Sequence, residues 1–266
     1  MAKVYILGAG PGDPELVTIK AARIISEAGL VLFTGSLVPR EVIAQARKDA
    51  RVLDSKGMDL DQIVDHMQAA IKAGENVARV HTGDPSIFGS TAEQIRRLEA
   101  LGIEVEIVPG VSSFAAAAAA LGKELTLPEL TQTIILTRAE GRTPVPPKEQ
   151  LAELGAHGAT MALFLSITLL AKVSAELIPH YGAECPIAVV HKASRPDQVV
   201  VVSTLEKVEA DVAEAGIRDT AMLLVGQVLT AKDFADSRLY AKEFTHRFRR
   251  GNDGEPIRAG QIESDA

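Results

Sequence analysis

Up to Leu121 the chain alternates between short apolar runs and longer stretches whose apolar positions recur every three or four residues. Val4–Leu7 reads as a buried strand by β-branching and apolar continuity, and Leu30–Phe33, Asn76–His81 and Glu104–Val108 read as further strands. Leu16–Ala28 has helical spacing, with Leu16, Ile19, Ala22 and Ile24/Ile25 along one face, and Arg40–Arg47 reads as a short helix. Leu60–Ala73 gathers Ile63, Met67, Ala70 and Ile71 on one side. Ser90–Leu101 carries Ile95, Leu98 and Leu101 before Gly102, a residue suited to ending a helix. Pro109-Gly-Val-Ser-Ser113 precedes the alanine-rich helix Phe114–Leu121, whose first free amides a serine hydroxyl is expected to cap. The run Ala115–Ala120 is read as close helix packing. Repeated β-α-β predicts a largely parallel sheet covered by helices.

After Gly122 the pattern changes. Lys123–Pro128 reads as a linker, followed by strands at Thr133–Thr137, Met161–Leu165, Ile187–His191, Val199–Ser203 and Met222–Val225. Helices are expected at Lys148–Leu154, Leu169–Ile178 and Leu205–Ala215. The fold class is therefore α/β in two α/β domains, 1–125 and 126–250, with a polar, aperiodic tail, 251–266, expected to be disordered.

Composition narrows the function. The 266 residues are 47% hydrophobic and 24% charged, an ordinary globular balance. A net charge of −7 argues against broad nucleic-acid binding, where a basic face supplies most of the affinity. The single cysteine, Cys185, allows no internal disulfide and no thiolate cluster for zinc. Met1-Ala2-Lys3 leads straight into a strand, and the apolar tracts are too short or too interrupted to span a bilayer. A soluble cytoplasmic protein without a membrane partner is expected.

Two strands break into Gly/Pro/Asp turns: Ile6-Leu-Gly-Ala-Gly-Pro-Gly-Asp-Pro14 and Arg79-Val-His-Thr-Gly-Asp-Pro-Ser-Ile-Phe-Gly89. Such turns gather at the carboxyl edge of an open α/β sheet, where ligands bind. They predict a site made largely of main-chain amides and carbonyls, which suits a small polar organic cofactor better than a metal. The glycine spacing is wrong for a dinucleotide fingerprint, because Pro11 takes the third slot and no acidic residue follows Phe33. Pro11 cannot donate a hydrogen bond but makes an apolar wall. Asp84 can accept from a hydroxyl or ammonium group, or cap the helix that follows. Arg138, Glu140 and Arg142 share a Gly/Pro-stiffened loop in which arginine forks could grip carboxylates. Lys192, Arg195, His246, Arg247 and Arg249 are further cationic candidates.

Gly8-Ala-Gly-Pro-Gly-Asp-Pro14, Val80-His-Thr-Gly-Asp-Pro85, Val108-Pro-Gly-Val-Ser-Ser113 and Leu130-Thr-Gln-Thr…Arg-Thr-Pro-Val-Pro146 resemble, in order and spacing, the tetrapyrrole methylase family. Leu125–Thr133 and Leu136–Pro144 look most like the subgroup that methylates ring carbon C11 in cobalamin biosynthesis. The resemblance implies a homodimer whose subunits each hold S-adenosyl-L-methionine in a cleft between two α/β domains, with the macrocycle docked above it. It carries cofactor contacts to Pro11, Thr82, Gly83, Asp84, Ile87, Ser112, Ser113, Leu165, Ala193, Met222 and Gly226. Arg138, Arg142, Lys192 and Arg195 are the expected substrate contacts.

An activated methyl donor and a conjugated ring carbon need few catalytic side chains, since alignment supplies most of the gain. One weak base would help, and Asp84, His81 and Glu140 are the candidates. Competing expectations are methylation of another tetrapyrrole carbon, a cobalt-containing macrocycle as substrate, and an RNA or protein methylase of the same fold. A nicotinamide-dependent oxidoreductase and a non-catalytic tetrapyrrole-binding module are the remaining alternatives.

Overall fold

A computed structural model describes residues 2–245 and 247–251, apart from the side chain of Tyr240. Nearly all of the expected tail, and His246, lie outside the described residues.

The first sheet is parallel throughout. It comprises β1 (Val4–Gly8), β2 (Leu30–Phe33), β3 (Arg51–Asp54), β4 (Val77–His81) and β5 (Val105–Val108), in the order β3-β2-β4-β1-β5. Because the chain leaves β1 toward β2 but leaves β4 across β1 toward β5, the order reverses between β1 and β4. In parallel sheets that crevice is where ligands collect. Helices α1 (Ile19–Glu27) and α2 (Arg40–Ile43) cover one face, burying Ile24, Ile25, Val42 and Ile43 against Leu7, Val31 and Val80. On the other face α3 (Leu60–Lys72) and α4 (Ala92–Ala100) bury Ile63, Met67 and Leu98 against Val4, Ile6 and Leu32.

Several boundaries differ from expectation for local reasons. The Leu16–Ala28 stretch splits, because Asp13 starts a separate short turn at Pro14–Leu16 and the Thr18 hydroxyl caps α1. Ile19, expected on the buried face, is 89% exposed, and Ala21 takes that role. Strand β3 was not foreseen; its Arg51 and Asp54 ends and exposed edge position mute the apolar signal. Its backbone pairing to β2 is nonetheless regular.

The second sheet is mixed: β6 (Ile134–Arg138), β7 (Thr160–Phe164), β8 (Pro186–His191), β9 (Val199–Thr204) and β10 (Ala221–Val225), ordered β6-β7-β10-β8-β9. Only β6 and β7 run parallel; β10 is antiparallel to β7 and β8, and β9 to β8. One face is covered by α6 (Leu151–Gly155), α7 (Leu170–Tyr181) and α8 (Val208–Glu214), all shifted by a few residues from the expected spans. The other face receives α5 (Ser113–Leu121), the helix that follows the last strand of the first sheet. Ala116, Ala117 and Ala118 pack there on Ala162, Ala188 and Leu224, so the alanine run lets helix and sheet approach closely. That shared core joins the two lobes.

Candidate functional site

Three turns of the first lobe meet at the β1/β4 crevice. Gly10 and Gly83 exchange main-chain hydrogen bonds, 3.2 Å from Gly10 N to Gly83 O and 2.7 Å in return, while Ala9 N donates to His81 O at 2.7 Å. The third turn, after β5, closes on both. A Cβ built on Gly110 would stand 2.2 Å from Gly83 O and 2.7 Å from Gly8 Cα, so only a residue without a side chain fits. Asp84 ties this turn down: its carboxylate accepts from Gly110 N at 2.9 Å, from Ser86 N at 2.8 Å and from the Ser86 hydroxyl. Burial works against the Asp84 charge, but these three donors outweigh it and hold the pKa below the usual carboxylate value. Asp84 does not cap the next helix, because α4 begins only at Ala92.

The second lobe leans onto the same edge. Asp13 N donates to the Ser194 hydroxyl at 3.1 Å, and Arg195 reaches the Leu37 carbonyl across the cleft. The Phe88 and Phe164 rings, one from each lobe, lie with centroids 5.1 Å apart. By register, Phe164 closing β7 with Leu165 after it, Arg138 at the end of β6, His191 closing β8 with Lys192 and Ala193 after it, and Ala221–Met222 opening β10 share this edge.

Pro11, Thr82, Gly83, Asp84, Ile87, Ser112 and Ser113 thus fall on the first-lobe side, and Leu165, Ala193 and Met222 on the second-lobe side. Gly226 does not join them. It follows Val225, which pairs with Met161 and Ile187, and a Cβ there would face Thr160 at the opposite edge of the sheet. It lies four residue steps along the strand from Met222, about 13 Å. Grouping Gly226 with Met222 is therefore corrected by the antiparallel direction of β10. Ser112 is the N-cap of α5 by position, yet its side chain makes no capping bond, contrary to expectation.

The cationic candidates are mostly spent on the chain itself. Arg138 donates to the carbonyls of Ala139, Thr143 and Pro144, and Glu140 accepts from Val145 N while pairing with Lys172 at 3.6 Å. These bonds close the loop that bears the exposed Arg142. Lys192 pairs with Asp197, and Arg195 lies over Gly12, where a Cβ would come within 2.5 Å of its Cγ. Arg249 donates to the carbonyls of Leu239 and Ala241, while Arg247 lies over the Phe248 ring. His81 is buried, and burial together with Arg79 pushes its pKa down to about 3, so it is neutral.

Backbone strain marks residues that composition did not. Phe88, Ser90, Leu165, Lys192 and Ser194 all have positive φ without being glycine, and all lie along the cleft. Such conformations cost free energy and concentrate where a binding surface dictates the backbone. Phe88 and Ser90 were missed, since nothing in their residue types signals a left-handed conformation.

Comparison with known proteins bears on this geometry. Residues 3–209 match the family model of the Tetrapyrrole (Corrin/Porphyrin) Methylases. The chain belongs to this family. Among its relatives, the precorrin-4 C(11)-methyltransferase of Pseudomonas aeruginosa is 50% identical over 93% of this chain and 99% of that one. The cobalt-precorrin-4 C(11)-methyltransferase of Methanocaldococcus jannaschii is 49% identical over 94% and 97% of the two chains. The X-ray structure of a cobalamin biosynthetic enzyme, cobalt precorrin-4 methyltransferase, superposes with a TM-score of 0.84 at 47% identity, covering 86% of this chain and 96% of that one. A uroporphyrin-III C-methyltransferase of Thermus thermophilus, solved with S-adenosylhomocysteine, gives 0.70 at 29% identity over 86% and 99%. The family's α/β architecture is thus present throughout both sheets. Among the described residues, no helix is long and apolar enough to cross a membrane.

Proposed function

We propose that this protein is an S-adenosylmethionine-dependent methyltransferase that methylates C11 of precorrin-4 in cobalamin biosynthesis, yielding precorrin-5. The observation that carries the proposal is the half-identity, over nearly the full length of both chains, to a relative named for that reaction. A homodimer and a cytoplasmic location belong to the same reading.

The crevice suits the methyl donor. Its first-lobe rim is main chain brought together by glycines, with Pro11 and Ile87 as apolar walls and an ionised Asp84 facing the junction. Thr82, Gly83, Asp84, Ser112 and Ser113 would hold the polar parts of the donor. Leu165, Ala193 and Met222 would border it from the second lobe. Ala193 and Met222 are buried among Ala116, Ala117 and Val190, so the strand-end main chain there makes the contact while the side chains anchor it. When bound, the donor supplies a methyl group already activated by its sulfonium.

The chain's own residues mainly orient and exclude water. Asp84, pinned by three donors, keeps its charge and direction without reorganising, which is how a fixed group aligns a partner. None of the three base candidates is well matched to accepting a proton at neutral pH. Asp84 is held ionised below its usual pKa, His81 is neutral with its pKa near 3, and Glu140 is engaged by Lys172 and Val145. Alignment of donor and ring carbon is thus the chief contribution, and effects of this kind reach several kcal/mol.

Methyl-¹³C donor incubated with precorrin-4 and the purified protein should place the label on C11, read by carbon NMR. Label on any other carbon overturns the assignment. The parallel incubation with cobalt-precorrin-4 tests the second reading, which the 49% identity to a cobalt-precorrin-4 enzyme favours almost equally.

A further inference from the structure

Adjoining the crevice, and sharing Thr82 and Ile87 with it, lies a cavity whose Arg79 end the donor does not explain. It measures about 330 Å³ and is bounded by Thr34 and Leu37 beyond β2, by Arg79 and His81 of β4, and by Phe88 and Ser90. Arg79 and His81 are two residues apart on one strand and leave the same face of the sheet. That face is otherwise the apolar core of Val77, Met67 and Leu98, so two polar groups here break the pattern at its carboxyl end.

Arg79 is only 4% exposed. Its Nε donates to Gln94 Oε1 at 3.0 Å, and its Nη1 to Ser55 Oγ at 3.0 Å and the Leu32 carbonyl at 3.3 Å. Every one of these acceptors is neutral. Among the described residues, Nη2 makes no hydrogen bond and no carboxylate comes within the 4.0 Å of an ion pair, Glu93 on the cavity wall included. Burial lowers the Arg79 pKa to about 10, which still leaves it charged at neutral pH. Beside it, buried His81 Nε2 has no hydrogen-bond partner among the described residues. A buried charge without a counter-charge costs several kcal/mol, and chains seldom retain one unless something compensates it.

We infer that this cavity is a carboxylate subsite, in which the Arg79 guanidinium, flanked by the Thr34 and Ser90 side chains, receives one acidic arm of the macrocycle. The inference rests on the proposed function and names where that substrate is gripped. The cavity is too small for a tetrapyrrole but ample for an acetate or propionate arm. Thr82 and Ile87 line the cavity as well as the proposed donor site, which sets the macrocycle next to the donor. The methyl donor carries a carboxylate too, so its amino-acid end is the competing source.

The test uses steady-state kinetics of the wild type, Arg79→Met and Arg79→Lys with precorrin-4, together with calorimetric titration of S-adenosylhomocysteine. Arg79→Met should raise the KM for precorrin-4 by about 10- to 100-fold, the size of a lost charge-assisted bond. Arg79→Lys should recover part of that loss, and the affinity for S-adenosylhomocysteine should stay within about two-fold, well inside one charge-assisted bond. An unchanged KM overturns the subsite, as does weakening that falls mainly on S-adenosylhomocysteine. Should Arg79→Met fail to fold, a crystal structure of the wild type with uroporphyrin III decides. A carboxylate within about 3.2 Å of Arg79 Nη2 supports the subsite, and any structure lacking it overturns it. A wild type that transfers no methyl to C11 removes the proposed function and leaves the crystal structure to judge the subsite. Equal KM with and without Arg79 in an active enzyme removes the subsite alone.

Discussion

The two lobes build one cleft by opposite means. The first lobe's strands are all parallel, so every β-to-α turn reaches the same edge, and glycines let the turns touch main chain to main chain, with the Asp84 carboxylate as an added tie. The second lobe's strands are mixed, with β6, β7 and β8 running one way and β9 and β10 the other, so fewer carboxyl ends reach the cleft, and those of β7 and β8 bend through non-glycine residues at positive φ. Close packing of turns, tightest at Gly8 and Gly110, is thus peculiar to the first lobe, whereas strained non-glycine backbone borders the cleft from both sides, at Phe88 and Ser90 and at Leu165, Lys192 and Ser194. Substitutions should separate these two designs.

The largest effect is expected at Gly110. A methyl group there collides with Gly83 O and Gly8 Cα, both main chain, so the three turns must part. Gly110→Ala should cost about 3 kcal/mol or more, as overpacking against backbone with no room to relax does. Denaturant unfolding measures it, and S-adenosylhomocysteine binding should vanish alongside. A loss below about 1 kcal/mol would show that the turns are not locked.

Next comes an acid-limb effect confined to the first lobe. His81 titrates near 6.5 when unfolded but near 3 when buried beside Arg79. Below pH 6.5 the unfolded chain therefore binds a proton that the native chain refuses. Stability from this group is full above pH 6.5 and is lost as pH falls toward 3, by up to about 1.4 kcal/mol per pH unit. Thermal unfolding between pH 6.5 and 4.5 should show His81→Gln with the shallower decline. Parallel slopes would mean His81 is not the group responsible.

The contrast also explains what the sequence revealed. The parallel sheet, its order of elements and the Gly8–Pro14 and His81–Pro85 turns were legible because glycine and proline announce backbone geometry directly. Asp84 stood out for the same reason, although its hydrogen bonds to Gly110 and Ser86 could not be read from its neighbours in the chain. In the second lobe, strands were recognisable but their directions were not. That is why Gly226 was grouped with Met222 although the antiparallel run of β10 sends it to the far edge. Arg138 and Glu140 were seen as charges, while the carbonyls and the lysine that absorb them come from loop closure and from α7. Strand β3 was masked by its charged ends, and Phe88 and Ser90 by ordinary residue types in an unusual conformation.

A paired substitution sharpens the comparison of strain. Gly83 has φ +61°, and a would-be Cβ there would sit in ordinary van der Waals contact, the nearest atom standing 3.7 Å away. Gly83→Ala should therefore cost only about 1 kcal/mol, from the left-handed backbone rather than from collision. Leu165, at φ 53° and 67% exposed, has the reverse situation. Leu165→Gly should gain a few tenths to about 1 kcal/mol by relieving that strain, because little apolar area is lost, although glycine's unfolded-state entropy trims the gain. Calorimetric unfolding of both variants reads the difference, and a destabilised Leu165→Gly would show that its φ is not costly.

The smallest effect is expected where the two lobes join, at the first turn of α5. Ser112 occupies the capping position, yet its hydroxyl makes no bond to the free amides of the helix. At α1 the Thr18 hydroxyl does accept from Ala21 N, at 3.2 Å. In the free protein, Ser112→Ala should change stability by less than about 0.5 kcal/mol, whereas Thr18→Ala should cost about 1 kcal/mol, the usual worth of a cap. Equal losses in urea unfolding would mean that Ser112 caps α5 in solution. Equal stability with weakened S-adenosylhomocysteine binding would instead mark the uncommitted Ser112 hydroxyl and helix-end amides as held open for a ligand, the role the first lobe's other turns fill with main chain.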